Sequence, residues 1–201
     1  MGDSPLYSLP LVTLRFLTFI VTSYASFACY EEVVDLKVSN VVREDHGFVL
    51  TFTKGKSYSI GESNIGIVSN LPGLKYNPSE IFSVYLDKIA FTHANSDSSS
   101  DFLFPSLRTA GGVTSTLDKP ASYQTFLKAF KLAVKSANIQ VGLSKVGLHS
   151  LRRGGGVTHA VRAGAPHDIV QKCMRVKTPG MVAYYASLTG KELHSAAKLA
   201  F

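Results

Sequence analysis

The chain has 201 residues, of which 45% are hydrophobic and 17% are charged. This composition suits one globular domain and excludes a largely disordered protein, which has too few apolar residues to form a core. The net charge of +7 falls entirely in residues 145–201, which hold nine Lys/Arg and two Asp/Glu. Such a basic segment predicts a polyanionic partner, nucleic acid before membrane. A solvated basic face is the alternative, and charge alone weighs the two equally.

The first apolar run, Leu9 to Phe27, predicts a buried core helix. Arg15 interrupts it, and the uninterrupted part is short for a membrane span. No basic segment precedes it, so a signal peptide is the less favoured interpretation. Cys29 and Cys173 are far apart and fit no metal-ligand pattern, and no histidine has zinc-site spacing. We therefore expect no metal and a reducing compartment.

The segments that follow predict one short helix and one hairpin. Glu31 to Lys37 has the spacing of a short amphipathic helix. Residues 46–61 predict a β-hairpin, because apolar residues alternate along its first strand and Lys-Gly-Lys can form a turn. Tyr58 and Ile60 would lie on the return strand.

Most of the remaining chain has helical patterns. Residues 77–91 carry Pro78 near a helix N-terminus and apolar residues spaced four apart. Residues 92–101 are polar and predict a loop. Further helices are predicted over residues 120–138, 167–174 and 190–201. The predicted fold class is mainly α with a small antiparallel β-sheet (α+β), in a single domain.

The stretch "GLHSLRRGGG", residues 147–156, combines basic side chains with three glycines near a predicted helix start. His149 and Arg152 lie three residues apart, and a helix N-terminus favours a bound anion. A planar guanidinium can donate two hydrogen bonds to phosphate oxygens. Glycines would allow another segment to pack closely against the site. The alternative for H-x-x-R alone is a histidine cap with solvent-facing arginines.

Further downstream, "KCMRVKTPGMVAYY" ends in Tyr184 and Tyr185. Together the two segments resemble the catalytic domain of the tyrosine recombinase/integrase family, where an H-x-x-R helix precedes a G-H or R-W-K-S type turn and a nucleophilic tyrosine. "ASFACYEEVVDLKVSNV" is similar to the part carrying the first arginine, typically L-R-x-x-E-L. "TFTKGKSYSIG" is similar to the hairpin carrying the family's lysine, and "DFLFP" to the segment before H-x-x-R. The order resembles integrase-like genes of eukaryotic mobile elements most.

This resemblance implies a DNA strand-transfer enzyme that acts through a 3′-phosphotyrosine intermediate. By position, Arg152 would be the second arginine, His149 its companion and Lys54 the lysine, with Lys56 in reserve. Tyr184 would be the nucleophile. Tyr185 is the alternative, because its distance from the preceding turn fits the family slightly better.

Two positions depart from the family pattern. Cys29 stands at the first arginine, and Val176 stands at the last histidine or tryptophan. Neither side chain can donate two hydrogen bonds to phosphate. We therefore expect impaired activity, with a catalytically inactive DNA-binding or oligomerisation module on the same fold as the alternative. Arg175, next to Val176, is a candidate for compensation.

The resemblance also implies the partners. We expect double-stranded DNA, self-association on DNA, no membrane, no small-molecule cofactor and no metal. The domain would be a single catalytic-type domain over residues 1–201, without the N-terminal helical domain with which family members clamp DNA. The expected location is the nucleus, or the nucleoid in a prokaryote.

Overall fold

The computed structural model describes residues 4–53, 64–95 and 100–177, together with Gly180 and Val182. The helices are α1 (Leu11–Ala25), α2 (Tyr30–Val34), α3 (Pro78–Ala94), α4 (Tyr123–Ser136), a π-helix (Leu151–Val157), α5 (Thr158–Arg162) and α6 (His167–Met174). Short 3-10 turns cover Pro5–Ser8, Val38–Asn40 and Leu143–Lys145. The strands are β1 (Val41–Glu44), β2 (Gly47–Thr51), β3 (Ile65–Ser69), β4 (Pro105–Ala110) and β5 (Val113–Pro120). The α+β class predicted from the sequence is confirmed.

The first sheet has three antiparallel strands in the order β1–β2–β3. β2 is the predicted first strand of the hairpin, and its Phe48 and Leu50 are buried. Phe48 lies opposite Arg43 of β1 and Val68 of β3, so β2 is paired on both edges. The predicted turn and return strand, residues 54–60, lie outside the described residues.

The structure contains a second sheet, whereas the sequence predicted only one sheet. β4 and β5 form an antiparallel hairpin in which Ala110 faces Val113. Gly111 and Gly112 connect them with φ of 58° and 80°. Two consecutive positive φ angles are typical of a two-residue hairpin turn, and glycine adopts them without steric cost.

The short helix α2 ends earlier than predicted. It stops at Val34, whereas the sequence pattern indicated a helix from Glu31 to Lys37. Lys37 pairs instead with Phe102 in an isolated antiparallel bridge, which requires extended backbone. A contact with a distant segment therefore overrides the local helical pattern.

Three longer predictions are confirmed. α3 begins at Pro78, and the Asn77 side chain caps it by accepting a hydrogen bond from the Ser79 N–H at 3.1 Å. This helix continues to Ala94, so the predicted loop at residues 92–101 starts too early. α4 and α6 occupy the two helical segments predicted next, and residues 190–201 lie outside the described residues.

The main core surrounds α1, which confirms that the first apolar run is a buried helix. The Phe19 ring stacks on Phe126 with centroids 4.0 Å apart and meets the edge of Phe104 at 5.9 Å. Over the described ranges, no helix is long and apolar enough to cross a bilayer. A second, smaller core lies around α5 and α6 and contains Val157, Val170, Met174 and Val182.

The last of the three glycines permits close contact between α1 and the π-helix. A Cβ atom on Gly156 would lie 2.3 Å from Phe27 Cδ1 and 2.4 Å from the Tyr24 carbonyl oxygen. Both distances are far below van der Waals contact, and one of the partners is backbone. The expected close approach at the glycines is therefore found at Gly156.

We expect Gly156→Ala to destabilise the protein by about 1–3 kcal/mol, because an added methyl must displace α1 from the π-helix. Gly142→Ala is the control, since its Cβ would meet only Ser144 Oγ, at 3.9 Å. The control should change stability by less than about 0.5 kcal/mol. Urea unfolding of both variants measures the difference, and equal midpoints would contradict close packing at Gly156.

Candidate active site

The structure describes only part of the predicted catalytic set. Arg152 lies on the π-helix and is buried, so the alternative of a solvent-facing arginine is wrong at this position. His149, two residues before the π-helix, is exposed. Lys54, Tyr184 and the reserve residues Lys56 and Tyr185 lie outside the described residues, and their roles stay predictions.

Arg152 is held from three directions. Its Nη1 donates to Cys29 Sγ at 2.6 Å and lies 3.3 Å from Glu32 Oε2. Its Nη2 donates to the Met174 carbonyl oxygen at 2.5 Å. The guanidinium therefore joins the start of α2 to the end of α6, and its plane is fixed before any ligand arrives.

Cys29, which the sequence predicts to stand at the family's first arginine, lies next to Arg152. It caps the N-terminus of α2, and its backbone N–H donates to Glu32 Oε2 at 2.6 Å. Burial raises the pKa of the Cys29 thiol, although the nearby Arg152 guanidinium acts in the opposite direction. The sulfur is thus a neutral acceptor at neutral pH and cannot replace a guanidinium as a phosphate donor.

Arg175, which the sequence suggested only as a compensating neighbour, is a central part of the site. Its Nε donates to Glu32 Oε1 at 3.1 Å, and its Nη1 donates to the carbonyl oxygens of Ser26 at 3.0 Å and Cys173 at 2.8 Å. The guanidinium carbon also lies 4.4 Å from the centroid of the Phe52 ring. The side chain is 3% exposed, so this cation is desolvated as fully as Arg152.

The backbone at Arg175 has an unusual conformation for this residue type. It caps the C-terminus of α6 with φ 56° and ψ 43°, the left-handed region that helix ends usually assign to glycine. For a residue with a Cβ atom this region costs about 1–2 kcal/mol. The buried hydrogen bonds of the side chain are the contacts that offset this cost.

Glu32 connects the two arginines. Its Oε2 faces Arg152 and its Oε1 faces Arg175, while its own side chain is only 9% exposed. We call Cys29, Glu32, Arg152 and Arg175 the Glu32 cluster. The sequence prediction named no role for Glu32, although its place three residues after a helix N-cap is a usual signal for a capping glutamate.

Val176 brings no donor to the site. Its side chain is partly buried and packs against the smaller core. Its carbonyl oxygen accepts a hydrogen bond from Gln171 Nε2 at 3.2 Å, which stabilises the turn after α6. Val176, which the sequence predicts to stand at the family's last histidine or tryptophan, therefore has structural contacts in this chain.

In the described part of the chain, no three His, Cys, Asp or Glu side chains converge on a common point. The buried charged groups of the site are two guanidinium groups and one carboxylate, so the site carries a net positive charge. Such an excess of buried positive charge favours an anionic ligand.

Comparison with solved structures shows what this fold is similar to. A XerH site-specific recombinase bound to palindromic difH substrate, in a post-cleavage complex, superposes with TM-score 0.68 and 15% identity, over 94% of this chain and 46% of XerH. XerA recombinase gives TM-score 0.63 and 18% identity, over 99% and 64% of the two chains. The Tn1549 transposon integrase in complex with circular intermediate DNA gives TM-score 0.53 and 15% identity, over 90% and 56%.

These likenesses establish the fold of a tyrosine recombinase catalytic domain. The chain spans about half the length of the XerH recombinase. No curated protein of those compared matches it in sequence. The family model for the phage integrase family, however, matches residues 17–192, which is most of the sequence. The chain therefore belongs to the phage integrase family.

Proposed function

We propose that this chain is a DNA strand-transferase domain that cuts and rejoins double-stranded DNA through a 3′-phosphotyrosine intermediate. The observation that carries the proposal is the Arg152 guanidinium, buried and held by Glu32 and the Met174 carbonyl oxygen. A cation whose plane is fixed in advance can stabilise charge on a phosphate without reorganising during the reaction. The XerH recombinase and the Tn1549 integrase, which have similar folds, are themselves bound to DNA in their solved structures.

In the proposed reaction, the hydroxyl oxygen of Tyr184 attacks a phosphodiester and forms a bond to phosphorus. The bond from phosphorus to the 5′-oxygen breaks, and Lys54 delivers a proton to that oxygen. Arg152 stabilises the extra negative charge on the pentacoordinate phosphorus centre, and His149 assists proton transfer by accepting the proton that leaves the Tyr184 hydroxyl. Rejoining is the reverse sequence, with a free 5′-hydroxyl attacking the phosphotyrosine.

Covalent capture tests this proposal. The protein is incubated with nicked duplexes of random sequence, and adducts are resolved on a denaturing gel and sequenced. Wild type should form an adduct that Tyr184→Phe abolishes and Tyr185→Phe retains. The opposite pattern would make Tyr185 the nucleophile. If both variants still formed the adduct, or if wild type formed no adduct on any duplex, cleavage by either tyrosine would be contradicted.

One observation favours a second candidate function, a catalytically inactive DNA-binding or oligomerising module. Arg152 Nη1 already donates to Cys29 Sγ, where the family's pattern has a second cation. Such a module would form no adduct but would still bind DNA through exposed basic side chains such as Arg162, Lys172 and Lys177. Its affinity should fall steeply as salt rises, because phosphate contacts release counterions. A flat salt dependence would leave residues 145–201 as a solvated basic face.

The proposed setting follows from the same chemistry. The substrate would be double-stranded DNA, found in the nucleus or on a nucleoid, and strand exchange requires more than one copy of the domain on DNA. We therefore propose that the chain self-associates on its substrate. Equilibrium sedimentation with and without a bound duplex measures this directly.

A further inference from the structure

Arg175 contacts the chain on both sides of Cys29, the residue at the position of the family's first arginine. Its guanidinium binds the Ser26 carbonyl oxygen and Glu32 Oε1, which lie on either side of Cys29 in the chain. A long side chain from the end of α6 thus brings a guanidinium to the segment between α1 and α2. Cys29 itself carries only a thiol there.

Arg175 and Arg152 share their environment. Both bind the carboxylate of Glu32, one at each oxygen. The two guanidinium groups therefore lie on the two sides of a single carboxylate. Both are buried to a similar degree, with 9% and 6% of the residue exposed. The two cations therefore form a pair of the kind that a phosphate with two non-bridging oxygens can bridge.

The donors of Arg175 are not all used within the described part of the chain. A guanidinium has five N–H groups. The Nε and Nη1 atoms have acceptors in Glu32, Ser26 and Cys173, whereas Nη2 is buried and has no acceptor among the described residues. A buried donor without an acceptor is costly, so Nη2 is the Arg175 donor that an anionic oxygen beside the Glu32 cluster would satisfy.

We propose that Arg175 supplies the second phosphate-binding guanidinium of this site, with Nη2 as the donor, in place of the arginine that Cys29 replaces. The inference rests on the proposed strand-transfer function and adds a residue to its machinery. The reaction is unchanged, since Arg175 only donates hydrogen bonds to the non-bridging oxygens while the bonds to phosphorus form and break. The cluster then holds two guanidinium donors despite the loss at position 29.

A purely structural role for Arg175 makes different forecasts. In that case the side chain only fastens the end of α6 to α2, and its loss lowers stability without a specific effect on phosphate. Arg15 provides the matched control, because it is also buried, binds the Pro105 carbonyl oxygen and lies 5.6 Å from the Phe126 ring. Arg15→Lys tests the loss of a buried guanidinium away from the Glu32 cluster.

The first experiment measures inorganic phosphate binding by calorimetry at low salt, without DNA. Arg175→Gly should raise the Kd about tenfold, the effect of losing one charged hydrogen-bond donor, whereas Arg15→Lys should leave it unchanged. Glycine adopts the left-handed backbone at this position without strain. If Arg175→Gly does not fold, the same measurement is made on Arg175→Lys. Cys29→Arg in the Arg175→Gly background should restore the affinity. Unchanged affinity in Arg175→Gly, or no restoration by Cys29→Arg, would overturn the proposal.

The second experiment repeats the covalent capture with the same variants. Arg175→Gly should slow adduct formation by about 10²–10³-fold, and Cys29→Arg should recover most of that rate. An adduct that forms at the wild-type rate in Arg175→Gly refutes this inference and leaves the strand-transfer function intact. No adduct from wild type, with phosphate binding that still depends on Arg175, refutes the strand-transfer function alone.

Discussion

Replacing Glu32 by glutamine should lower the free energy of unfolding by about 3–5 kcal/mol, the usual cost of removing one partner from a buried ion pair. The carboxylate faces two buried guanidinium groups at 3.1 and 3.3 Å. A neutral amide has one acceptor oxygen and cannot compensate both cations. It also places an NH₂ group against one of the two donors, where no hydrogen bond can form.

The neighbouring residue offers a matched control. Glu31 has the same side chain on the same helix but is exposed. Glu31→Gln should change stability by less than about 1 kcal/mol, since exposed charges interact weakly through water. Urea unfolding followed by circular dichroism gives both values. Similar losses in the two variants would mean that Glu32 is not the counter-ion of the cluster.

Replacing Arg152 by lysine should slow covalent adduct formation by about 10²–10³-fold, which is the range for losing one preorganised transition-state donor. The guanidinium reaches Cys29 Sγ and the Met174 carbonyl oxygen at once through its two Nη atoms. An ammonium is a single point of positive charge and cannot span these partners while contacting a phosphate in two places. Because lysine keeps the positive charge, a slower adduct formation would show that the shape of the guanidinium, and not its charge alone, is required.

Stability must be measured beside the rate, because Arg152 also holds α6 to α2. Arg15→Lys removes a buried guanidinium whose partners, Pro105 and Phe126, are not part of the cluster, and should leave the adduct rate within about twofold, because changes at sites with no shared partners act independently. Both variants are assayed at a temperature where circular dichroism shows each to be folded. An Arg152→Lys protein that reacts at the wild-type rate would remove Arg152 from the proposed machinery.

Elements with strong local signals could be predicted from the sequence. α3 has a proline start and a capping asparagine, and α6 lies between Pro166 and the turn at Arg175. The β4–β5 hairpin was missed although Gly111 and Gly112 are a turn signal, because its strands carry few buried side chains to mark a pattern. Local periodicity detects a face that is buried, and a mostly exposed hairpin has none.

The candidate site was predictable only where a motif marks it. Arg152 and the gap at Cys29 follow from the order of motifs. Glu32 and the bond between it and Arg175 do not, because the two residues are 143 positions apart; the sequence named Arg175 only as a neighbour of Val176. A glycine would be the expected residue at the end of α6, and nothing local shows why an arginine is there instead.

The Glu32 cluster also sets an order of events during synthesis. The bonds between its two halves join residues 120 to 143 positions apart, so Cys29 and Glu32 leave the ribosome long before the two arginines. A nascent chain that has not yet reached the π-helix exposes Glu32 without either counter-ion, and one that ends before Arg175 supplies only Arg152. Contacts this distant in sequence close slowly. The proposed phosphate site is thus complete only after Arg175 has emerged, so a shorter nascent chain lacks it.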